Sequence, residues 1–182
     1  MHTRNLFTAA LLTALLQSSP VPSASVPTTG TPTPQATSPG TTRALAQPSL
    51  SISVPTTADL GTASPGSTHS AQLGTVTATG TDAPQWDVTV TATALTTTGG
   101  TIATSNIAYW SGPATVDTGH GACHPGQDTA TQQVTLNAPR TAFHHTGSTE
   151  NESCSWNPTL VITVPANAVA GQYTGTITHS VA

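Results

Sequence analysis

The chain has 182 residues, of which 5% are charged; its basic residues are Arg4, Arg43 and Arg140, lysine is absent, and the formal net charge is −4. That length gives one folded domain once a leader and a spacer are set aside, and the scarcity of cations excludes the electrostatic footprint that holds nucleic acid or an anionic membrane. About a fifth of the residues are threonine, a β-branched side chain that favours strands, so an all-β protein is expected.

Residues 1–25 open with a short polar segment carrying Arg4, continue through an apolar run from Leu6 to Leu16, and break at Ser18-Ser19-Pro20. The run has the length of a secretory leader's apolar region and is well short of the roughly 20 residues that span a bilayer, so it reads as a signal peptide. Residues 26–48 are almost wholly Pro, Thr, Ser, Ala and Gly. Such a segment buries too little apolar surface to offset its ordering entropy and reads as a disordered linker. The remainder, 49–182, is the folded domain.

Within it the pattern turns to period two. Leu50, Ile52 and Val54 alternate with serines as far as Pro55, and residues 71–78 read as a strand with a bulge at Gly74. Trp86, Val88, Val90, Ala92 and Ala94 share one parity against Asp87 and three threonines, the clearest strand in the chain. Weaker strands surround Ile102, Ile107-Ala108-Tyr109-Trp110 and residues 132–136. Residues 156–164 and 173–181 alternate again, and the latter places His179 among core positions as a hydrogen-bonded core histidine. Seven or so short strands broken by turn residues, with no amphipathic helical window, predict an antiparallel β-sandwich of the immunoglobulin-like kind. The loop from Pro165 to Tyr173 ends in Gly-x-Tyr, the arrangement of a tyrosine corner, whose phenol bonds back to upstream backbone.

Cys123 and Cys154 stand in a chain read as exported, where oxidising conditions favour a disulfide. His120, Cys123 and His124 lie within five residues, with His144-His145 in the same cysteine-bounded segment. That arrangement opens a metal-linked or hydrolytic alternative centred on His120, His124, His144 and His145. No spacing matches a zinc frame, however, and no metal or other cofactor is expected. No Gly-x-Ser-x-Gly elbow, Walker lysine or convincing carboxylate pair points to catalysis, so no catalytic residue is assigned. Glu150 and Glu152 read as solvated loop charges, and Asn151-Glu152-Ser153 fits an N-glycosylation acceptor.

The strand from Gln85 to Leu95 and the last segment, from Ala170 to Val181, resemble the two motifs of the WxL-domain surface proteins of Gram-positive bacteria. Trp86 matches the first Trp-x-Leu-type motif, and Tyr173 matches the C-terminal Tyr-x-x-x-Leu-x-Trp-x-Leu motif. Val88 stands where the family has Leu, and His179 where it has the second Trp. The resemblance implies a signal peptide, a β-sandwich over about residues 49–182 and non-covalent attachment to the peptidoglycan-containing wall.

The function expected is therefore a secreted, non-catalytic protein at the cell surface that binds wall glycan or another surface protein. It has no transmembrane segment in the mature chain, and its binding residues are Trp86, Tyr109, Trp110 and Tyr173. Trp110 leads that set, because adjacent aromatics on one strand fall on opposite faces. The alternative is a structural subunit that self-assembles edge to edge, since long uncharged strands offer few barriers to such pairing.

Overall fold

Side chains that take turns every second residue place one face of an extended chain against a core, whereas a helix would scatter them around its axis. The computed structural model describes residues 7–12, 48–147 and 150–182. Over these residues the chain is nearly all strand and forms four sheets, none closing into a barrel among the described residues. One sheet has the order β10 (Val116–Thr118), β14 (Glu152–Trp156), β5 (Val76–Thr81) and β2 (Ser49–Ser53). A second runs β11 (Ala122–Pro125), β13 (Arg140–Thr146), β6 (Gln85–Ala92) and β17 (Ile177–Val181). The third runs β12 (Val134–Thr135), β9 (Ile107–Trp110), β15 (Thr159–Thr163) and β4 (Thr68–Gln72). The fourth runs β3 (Asp59–Ala63), β1 (Phe7–Leu12), β16 (Tyr173–Gly175), β7 (Leu95–Thr97) and β8 (Gly100–Ile102). Pairing is antiparallel except between β1 and β16, which run parallel.

The architecture is the all-β, sandwich-like one expected. The first two sheets meet through matched inward residues. On β14, Glu152, Cys154 and Trp156 share a parity and are buried. They meet His145, Cys123 and Phe143 of the second sheet: the Phe143 and Trp156 rings stack at 4.4 Å, Cys123 and Cys154 form a disulfide with Cα atoms 5.9 Å apart, and His145 faces Glu152. A register shift between Thr141 and Phe143 is what turns Phe143 and His145 inward and leaves His144 outward.

Several expected strands are divided. The 71–78 segment is two strands in two sheets, β4 and β5, and not one bulged strand. Gly74 sits between them at φ +92°, where a Cβ would come within 2.9 Å of Pro55. Residues 156–164 are likewise split between β14 and β15, and 173–181 between β16 and β17. A strand that turns a corner into a neighbouring sheet keeps its alternation, so the pattern alone joins what the backbone separates. The corner before Tyr173 is as expected: its phenol donates to the Val169 carbonyl at 2.9 Å.

Of the expected leader, Phe7–Leu12 forms β1, set between β3 and β16. The rest of the 1–25 leader and the 26–48 linker up to residue 47 lie outside the described residues.

Candidate functional site

The four aromatics expected to bind separate by burial. Trp86, Tyr109 and Tyr173 are core residues, so their rings cannot meet a ligand at the surface. Trp86 is inward on β6 and stacks on His145, with ring centroids 4.9 Å apart. Tyr109 accepts a hydrogen bond from Trp156 Nε1–H at 3.3 Å, and its own hydroxyl lies 3.2 Å from His179 Nε2. Tyr173 is spent on its corner. Trp110, one residue on from Tyr109, turns to the other face of β9 and is half-buried.

The residues paired beside Trp110 are uncharged, and Arg140 reaches the edge strand at the Thr135 carbonyl. The register sets Thr159 beside Trp110 and Gln72 beyond it; in the next row Thr135, Ala108, Val161 and Ser70 lie side by side. Hydroxyls and an amide around an indole can hydrogen-bond and stack on a neutral ligand without any charge.

His179 is the hydrogen-bonded core histidine expected. Burial lowers its pKa from 6.5 to about 4. The ring is thus neutral near pH 7, and its Nε2 shares a hydrogen bond with the Tyr109 hydroxyl. Burial also pushes the Tyr109 phenol well above its ordinary range, the Trp156 hydrogen bond only partly opposing this.

Glu152 departs from expectation. It is not a solvated loop charge but a buried residue of β14, accepting the backbone N–H groups of His120 at 3.0 Å and Gly121 at 3.1 Å. His145 Nε2 lies 3.5 Å from its carboxylate, both side chains being fully enclosed. Glycine at 119 and 121 permits this approach: a Cβ at Gly119 would collide with the Glu152 carboxylate, and one at Gly121 with the His145 ring. Enclosed on all sides, the pair joins two sheets and presents nothing to a substrate. Glu150 is exposed, as expected, and pairs with His120 at 2.9 Å.

The four histidines of the metal-linked or hydrolytic alternative are divided among three environments. His145 is interior, His120 lies on an exposed turn, and His124 and His144 face each other across β11 and β13 on the outer sheet face. With both sulfurs joined in the disulfide, the neighbouring Asp117, Cys123 and Cys154 present no thiolate to a metal.

No family model matches the chain, and a search of curated proteins finds no match.

Proposed function

We propose that this chain is an exported, non-catalytic β-sandwich that attaches to the cell surface by binding wall glycan, with Trp110 as the stacking platform. The observation that carries the reading is the half-buried indole on a strand face whose exposed neighbours are the neutral side chains of Gln72, Ser70 and Thr135. Sugar rings offer apolar C–H faces and neutral hydroxyls, which match an aromatic ring flanked by hydroxyl and amide groups. The disulfide suits an oxidising compartment, and the likeness of the Trp86 and Tyr173 segments to WxL-domain motifs agrees with a wall-associated role. In this chain those two residues serve the fold, and contact with glycan falls to Trp110.

The test is sedimentation with purified peptidoglycan. The full chain is expected in the pellet, and Trp110→Ala is expected to lower retention severalfold, with an unchanged circular-dichroism spectrum checking that the variant is folded. Wild-type protein remaining wholly in the supernatant, or equal retention of Trp110→Ala, overturns the reading.

A further inference from the structure

We propose that His124 and His144 form a chelating pair for a borderline divalent ion such as Zn²⁺ on the outer face of the β11–β13–β6–β17 sheet, with Asp87 holding one ligand in position. The juxtaposition comes from register. Antiparallel pairing sets His124 of β11 directly opposite His144 of β13, and the next pairing sets Asp87 of β6 opposite His144 on its other side. All three point away from the core, with the His144 and Asp87 side chains 39% and 58% exposed, and His124 exposed as well. They therefore sit on strands that fix their spacing, rather than on loops.

The hydrogen bonds assign the ring nitrogens. His144 Nδ1–H donates to Asp87 Oδ1 at 2.9 Å, which leaves the Nε2 lone pair directed away from the carboxylate. A carboxylate on one imidazole nitrogen and a metal on the other is the usual way proteins orient such a ligand. His124 Nε2 lies 3.1 Å from Thr146 Oγ1, so Nδ1 is the nitrogen not engaged there. The two rings are nearly parallel, at 27°, with centroids 6.2 Å apart. A tetrahedral Zn²⁺ with Zn–N distances of about 2.1 Å sets two imidazole centroids about 5 Å apart. Closing that gap falls to the exposed His124 ring, which must release Thr146 Oγ1 and turn towards His144 while Asp87 keeps His144 in place, and water completes the coordination. No lysine competes for Asp87, and Arg140, on the same strand as His144, is turned to the Thr135 carbonyl and Asn137.

Calorimetric titration of the full chain with ZnCl₂ tests the site. One saturable equivalent is expected. His124→Gln and His144→Gln should each abolish it, and Asp87→Asn should weaken it by about tenfold or more, the effect of losing an outer-shell carboxylate. His120→Gln, on the exposed turn, should leave it unchanged. In nuclear magnetic resonance spectra, Zn²⁺ should shift the ring signals of His124 and His144 and spare those of buried His179. All four substitutions are at exposed or half-exposed positions, and unchanged circular dichroism checks that each variant is folded. Absence of saturable binding, binding that persists in His144→Gln, or binding lost in His120→Gln overturns the proposal. None of these outcomes depends on whether the chain binds glycan.

Discussion

At the scale of single residues, the informative positions are polar groups placed where apolar ones would pack. His179 is held neutral by burial, its pKa about 4 against 6.5 for the free side chain. The unfolded chain therefore binds the proton first, and stability falls as pH drops from about 6.5 towards 4, by roughly 3 kcal/mol in total. Thermal unfolding followed across that range should show the loss. His179→Gln, which keeps a hydrogen-bonding partner for Tyr109 without a titrating ring, should begin less stable at pH 7 and decline less steeply; parallel curves for the two proteins would remove His179 as the cause. The core role of His179 was legible in its parity with Tyr173 and Ile177. Glu152 carried the same signal, since it alternates with Cys154 and Trp156, but acidic side chains are so rarely interior that composition outweighed position. What no alternation could reveal is that the backbone of His120 and Gly121 comes round to satisfy it. The His124–His144 pair was hidden for a related reason: both residues were visible, but their opposition depends on register, and so does the part played by Asp87.

At the scale of elements, the strong strands were legible from Trp86, Val88 and Val90 or from Leu50 and Ile52, and the corners were not. Tyr173, Gly175, Ile177, His179 and Val181 keep one parity throughout, although β16 and β17 belong to different sheets. The break is marked only by long-range bonds, Thr93 N–H to the Thr176 carbonyl and Thr176 N–H to Thr93 Oγ1, each 2.9 Å. Short strands such as β10 and β11 lack apolar alternation because they are edges with little to bury. The element with the clearest consequence is β1. Deleting residues 1–25 removes the partner of both β3 and β16, so the amides of Asp59–Ala63 that pair with it should exchange with deuterium faster by roughly an order of magnitude or more. Strands β6 and β13 should keep their protection. Unchanged exchange in β3 would show that β1 contributes nothing to that sheet's stability.

For the whole molecule, the Cys123–Cys154 bond joins two sheets across 31 residues of sequence. Closing a loop of that length stabilises by roughly 3–4 kcal/mol in the chain-entropy description. For a domain of this size, the double variant Cys123→Ala/Cys154→Ala should melt roughly 10 °C lower or more. Calorimetry of that variant against the oxidised protein decides it, and a difference of a degree or two would place the stability in packing alone. The pairing was readable from cysteine count and expected compartment. That it clips one sheet to the other was not, because the partner sheets are assembled from strands far apart in the chain.

The bonded line from the Trp156 indole through the Tyr109 hydroxyl to the His179 ring draws one atom from each of three sheets. Oily surfaces can slide a notch past one another at little cost, whereas hydrogen bonds have direction and a narrow reach. A slip of any one sheet would strand a proton donor or a lone pair in a dry interior. The line thus works as a key cut for a single alignment, and it lets a chain poor in large aliphatic side chains settle on one arrangement of its layers.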